Sequence, residues 1–136
     1  MSADPALYAI EVFQGADWSK ELLWRDSEGT PIDLIDYTAR MEVRSNFDSP
    51  DILLLLETDP KPGGGVGNGR ITLGLVSNPP DPDYNILLEV DAAATAALPA
   101  KPGFTAWVYD LEMVSAGGLV RRLLMGRFTV SLEVTK

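Results

Sequence analysis

The run Phe104-Thr105-Ala106-Trp107-Val108-Tyr109-Asp110-Leu111-Glu112-Met113-Val114 leads through Ser115-Ala116-Gly117-Gly118 into a second extended run over residues 120–135. In the first run Trp107, Tyr109, Leu111 and Met113 share one face. In the second, Leu124, Phe128, Val130, Leu132 and Val134 do, with polar residues mostly between them. Period-two alternation on both sides of a Gly-Gly turn predicts a long, half-buried β-hairpin.

The rest of the chain reads outward from this hairpin. Tyr37, Ala39, Met41 and Val43 alternate with Thr38, Arg40, Glu42 and Arg44, which predicts a strand with one dry and one wet face. Tyr8, Ile10 and Val12 predict an N-terminal strand, and Leu22 and Trp24 a second one ending at the turn Asp26-Ser27-Glu28-Gly29. Pro31-Ile32-Asp33-Leu34 predicts a short third strand. The run Ile52-Leu53-Leu54-Leu55-Leu56 fits a strand covered on both faces or a helical turn equally, and the bracketing Pro50 and Pro60 favour the strand. Two further strands are expected over residues 70–76 (Ile71, Leu73 and Leu75 inward) and 84–90 (Tyr84, Ile86, Leu88 and Val90 inward). The Gly-rich segment 59–69 reads as a mobile loop and the Pro-rich segment 77–83 as a stiff connection. Residues 91–98 predict a two-turn helix, with Asp91 capping its first amides and Pro99 ending it.

One domain of 136 residues is expected, with one core. Eight or nine strands, one short helix and no repeat predict an all-β fold. The arrangement expected is an antiparallel β-sandwich with immunoglobulin-like character, an open barrel being its nearest rival.

Composition limits the chemistry. The chain has no cysteine and no histidine. Disulfides, thiolate metal sites and every Ser-His-Asp or Cys-His arrangement within one chain are thereby excluded. Twenty acidic against eleven basic residues give a net charge of −9, which repels nucleic acid and anionic lipid. The longest aliphatic run is far short of the roughly 20 residues a bilayer requires, and the N-terminus lacks a signal-peptide pattern, so a soluble protein made in the cytoplasm is expected.

Residues 63–69 are glycine-rich but precede a strand, whereas a phosphate-binding loop needs a helix after it. Asp81 and Asp83, with Asn78 and Asn85, could supply calcium oxygens, yet Pro79, Pro80 and Pro82 oppose the required curl and a solvated acidic loop is the better reading. Asp33, Asp36, Asp110 and Glu112 are numerous enough to contain a carboxylate pair, but nothing in their spacing marks one. No catalytic, cofactor or metal residue is therefore assigned. Trp18, Trp24, Trp107 and Tyr109 could form a sugar-stacking platform; Trp24 and Trp107 fall on apolar faces, leaving Trp18 as the exposed aromatic. Arg121, Arg122 and Arg127 concentrate positive charge on the last hairpin. They read as cross-strand partners of Glu112 or Glu133, or, with Trp18, as subunit contacts.

Three segments carry a resemblance: Phe13-Gln14-Gly15-Ala16-Asp17 with residues 24–34, the strand over residues 37–44, and Tyr109-Asp110-Leu111-Glu112 with residues 122–130 and Glu133-Val134-Thr135. Together they resemble small virion proteins of tailed bacteriophages, and the layout is similar to the N-terminal β-sandwich of the phage upper baseplate protein family, short Ala-Thr-Ala helix included. The resemblance spans nearly the whole chain outside the Gly-rich and Pro-rich loops. It implies a non-enzymatic tail, baseplate or fibre adaptor located in the virion, contacting other phage structural proteins as a homo-oligomer, a trimer or hexamer. In that family a long C-terminal extension reaches the receptor-binding apparatus; this chain ends at Lys136, so the sandwich itself is the expected functional unit. A capsid decoration protein is the close alternative, and a carbohydrate-binding module the alternative from another class.

Overall fold

The structure, a computed structural model, describes residues 6–58, 69–74, 84–99 and 104–132, and of residues 104 and 105 the backbone alone. Its elements are β1 (Ala6–Leu7), β2 (Ile10–Phe13), β3 (Trp18–Leu22), β4 (Thr38–Arg44), β5 (Leu54–Glu57), β6 (Gly69–Leu73), β7 (Ile86–Val90), α1 (Ala92–Ala96), β8 (Phe104–Val114) and β9 (Val120–Ser131). The fold is all-β with one short helix, as the alternation predicts. The strands form a single curled path in the order β1-β9-β8-β4-β5-β6-β7-β3, with β2 also paired to β9. The halves that a sandwich keeps apart are joined here by two residue pairs of β5 and β6, Leu56 with Gly69 and Glu57 with Arg70.

Purely antiparallel pairing is corrected at three contacts. β1 and β2 run parallel to β9, and β5 runs parallel to β6. The direction of β2 follows from where it must deliver the chain, because the turn after Phe13 is held against α1 at the other end of the path. The expected strand at residues 31–34 reduces to one bridge, Arg25 with Pro31. The loop 59–68 and the connection 77–83 lie outside the described residues, as do Leu75, Glu133 and Val134.

Register puts the predicted apolar stripes into rows. Leu56, Met41, Leu111 and Leu124 share one row; Leu54, Val43, Tyr109 and Gly126 share the next. Ile10, Phe128 and Trp107 form a third. Except for the half-buried Leu124 and Gly126, these residues are buried. Residues of β5 are covered on both sides, Leu55 included, which resolves the Leu54–Leu56 part of the leucine run as strand, with Ile52 and Leu53 leading into it.

Gly126 serves a close approach. The chain breaks from the ladder between β1 and β2 so that the Tyr8 backbone sits over it, and a Cβ there would lie 2.3 Å from the Tyr8 carbonyl oxygen. That carbonyl accepts the Tyr109 hydroxyl at 2.6 Å, and the Tyr8 amide donates to the Met125 carbonyl at 3.0 Å. Burial, and to a lesser degree the Tyr8 phenol, pushes the Tyr109 pKa well above its ordinary value, so the group stays a donor. Gly126→Ala is expected to cost at least about 2 kcal/mol in urea denaturation, because the obstacle is backbone and cannot rotate away.

Helix α1 is capped from a distance. Asp91 makes no side-chain cap bond; it lies 3.6 Å from Arg70 instead. The cap is Asp17, whose Oδ1 accepts the Ala92 amide at 2.6 Å. Buried Thr95 completes the junction, donating to the Ala16 carbonyl at 2.9 Å and accepting the Gly15 amide at 3.0 Å. Gln14 Nε2 donates to the Leu98 carbonyl at 3.2 Å. A helix this short has little stability of its own, so these contacts with residues 14–17 hold it.

Candidate functional site

The outer face of β9, β8, β4 and β5 carries the densest set of charged side chains in known register. One row reads Arg122, Glu112, Arg40, Glu57; the next reads Met125, Asp110, Glu42, Leu55; a third reads Arg127, Val108, Arg44. Adjacent rows are tied together. Glu42 accepts from Arg40 Nε and from Arg44 Nη2, each at 2.6 Å, and Arg40 also binds Glu57. Arg122 Nε lies 3.2 Å from Asp110 Oδ2. Between Arg44 and Arg122 is a cleft of about 330 Å³ whose walls include Phe47, Val108, Glu42 and Asp110. Arg44 Nη1 donates to the Ser49 carbonyl at 2.8 Å, which holds the turn bearing Phe47 at the mouth.

The two carboxylates at the floor of this cleft stand directly opposite each other and titrate in opposite directions. Burial raises the Asp110 pKa; the Arg122 charge opposes this and the Glu42 charge adds to it. Burial also pulls Glu42 upward, yet the hydrogen bonds from Arg40 and Arg44 outweigh it and hold Glu42 below its ordinary value. The same contact with Glu42, against the burial of the guanidinium, raises the Arg40 pKa. A depressed folded-state pKa means that Glu42 stabilises the fold above the ordinary glutamate range and loses that contribution as pH falls through its folded value. Glu42→Gln is therefore expected to cost about 1 kcal/mol at neutral pH, screening by water included. The two denaturation curves should converge in acid.

The four residues singled out as contacts do not form one site. Arg122 and Arg127 share the outer face described above. Arg121 lies in the row of Met113 and Ala39, and lines a separate cleft of about 200 Å³ with Trp24, Tyr37, Leu119 and others. Trp18, expected to be exposed, is half-buried against the core and sits on β3, the far end of the path. Alternation alone separates adjacent Arg121 and Arg122; a β-bulge decides which of them joins Arg127, because the β8–β9 register shifts between Leu111 and Glu112, pairing them with Leu124 and Arg122 and leaving Leu123 over. Arg40, Glu42, Arg44 and Phe47 belong to the site and were not selected from sequence. Their signal was the alternation of β4, whose polar half reads as ordinary wet surface.

Other candidates are spent on structure. Asn85 binds the backbone with both side-chain polar atoms, so it is no calcium ligand. Asn78, Asp81, Asp83 and the Gly-rich segment 63–68 lie outside the described residues. Among the described residues no group of three or more metal-ligating side chains occurs. No helix among them is long and apolar enough to cross a membrane. Trp24 packs edge-on to Tyr37 and Trp107 is stacked with Phe128, which leaves no exposed tryptophan platform. No protein-family model and no curated protein matches the chain.

Proposed function

We propose that this chain is a non-enzymatic structural protein of a tailed-phage virion, a β module that joins tail, baseplate or fibre components by protein–protein contacts. The observation that carries this reading is the outer face of β9, β8 and β4. Its charges are ordered in rows on a hydrogen-bonded ladder, and its margins present the exposed apolar side chains Leu7 (80% exposed) and Phe47 (62% exposed). Arg, Met and Phe are side chains that contact surfaces favour, and the carboxylates Glu42, Glu57 and Asp110 among them are already paired with arginines of the same face. The near full-length resemblance to phage virion proteins points the same way and supplies the setting.

Mass spectrometry of purified virions, followed by particle imaging, tests the reading. The expected result is stoichiometric incorporation, with density at the tail or baseplate. Density over the capsid lattice would replace the adaptor role with decoration of the head. Absence from particles that are otherwise complete would overturn the reading.

A further inference from the structure

The charges on the outer face fall into columns as well as rows. β9 presents Arg122 and Arg127, and β8 presents Asp110 and Glu112 in the adjacent column. Side by side on one surface, a positive and a negative column are self-complementary: a second copy turned by half a revolution about an axis between β8 and β9, parallel to the strands, sets each arginine column over a carboxylate column. Because that rotation preserves position along the strand, Arg122 meets Glu112 of the second copy, its own register partner's equivalent, while Arg127 meets Val108 and Asp110 meets Met125, so the Arg122–Glu112 pair and its symmetry mate carry the charge match. The same operation carries β1 over β4 of the second copy. Leu7, the most exposed of the large apolar residues described, then stands over the cleft between Phe47, Val108 and Glu42.

We infer that this chain pairs with a second copy of itself through the outer faces of β9, β8 and β4, with Leu7 seated in the partner's cleft. The strands that overlap under this rotation, β1, β9, β8 and β4, have 2, 12, 11 and 7 residues; at about 3.3 Å per residue and about 4.8 Å between strands they offer roughly 500 Å² per partner, the size of a weak, reversible contact. Self-pairing through the edge of β3, which among the described residues pairs only with β7, is the weaker alternative, because two-fold antiparallel pairing centred there sets Lys20 against its own copy. The inference rests on the structural reading above but names its contact.

The test uses the whole chain and charge reversal. Arg122→Glu sets two carboxylates opposite each other in a like-with-like pair, and Glu112→Arg sets two arginines so. In a mixture of the two variants both contacts are complementary again. Sedimentation velocity is expected to give a dimer for the wild type, self-association at least about tenfold weaker for each variant, and recovery of the dimer in the equimolar mixture. The double variant Arg122→Glu/Glu112→Arg restores the row within the chain as well and is expected to dimerise, which separates a lost contact from a lost fold. A wild type that stays monomeric to about 100 µM in low salt, or a mixture no tighter than its components, overturns the inference. A monomer found in virions would leave the structural role standing without this contact; a dimer missing from virions would do the reverse.

Discussion

Replacing Asn85 with alanine is expected to lower stability by about 4 kcal/mol, moving the thermal midpoint down by roughly 15 °C. Asn85 is fully buried at the entrance of β7. Its Oδ1 accepts the Trp24 amide at 2.8 Å, and its Nδ2 donates to the carbonyls of Trp24 at 3.0 Å and Ile32 at 2.9 Å. Its own amide donates to the Leu22 carbonyl at 3.0 Å. One side chain thus clamps both arms of the excursion between β3 and β4; its removal leaves the Trp24 amide and the Ile32 carbonyl without a partner, while the Trp24 carbonyl keeps the Ile32 amide at 2.9 Å. Asn85→Asp should be at least as damaging, since a carboxylate accepts from Trp24 but cannot donate to either carbonyl and places a charge in the interior. Calorimetry on both variants checks this. A loss below about 1 kcal/mol for the alanine variant would mean that the excursion is held by its apolar contacts, Trp24 against Tyr37 chief among them.

Phe128→Ala is expected to cost about 4 kcal/mol, the second large effect. The ring is fully buried, 6.5 Å from the Trp107 ring in a near-parallel stack and 6.4 Å from the Tyr109 ring edge-on. Deleting it opens a void bounded by Ile10 on β2 and Trp107 on β8, strands whose positions the sheet ladder fixes, so collapse is limited. Phe128→Leu should lose only about 1.5 kcal/mol. Tryptophan emission gives a local readout, because Trp107 loses its stacking partner and should shift to the red in the alanine variant. An unshifted spectrum with a small stability change would place Phe128 at the rim and reverse the assignment of faces on the last hairpin.

How far such a site can be read in advance differs along the chain. The last hairpin, β4 and β5 were legible because their cues are local: a side-chain period of two, a glycine turn, a run of leucines between prolines. Gly118, at φ 86°, ends that hairpin where the Gly-Gly pair predicts. The expected cap at Asp91 failed because the competing carboxylate, Asp17, arrives from 75 residues away. The charged face was legible only in part. Arg122 and Arg127 were singled out for their charge, whereas the carboxylates that turn them into a column belong to β8 and the arginines that neutralise Glu42 to β4.

The amino-acid sequence by itself determined that this chain is all-β, which residues of its strands are dry apart from Tyr8 and Tyr84, expected inward but exposed in the fold, and which reactive chemistries a protein without cysteine or histidine lacks. These follow from composition and from alternation within single strands. Only the tertiary structure decided that β1 and β2 lie parallel to β9, that β5 and β6 join the two halves, and that Arg122 faces outward while Arg121 does not. The physical reason is that pairing partner, direction and register are set by packing between distant segments, and one extra residue at the β8–β9 bulge reverses every side chain beyond it.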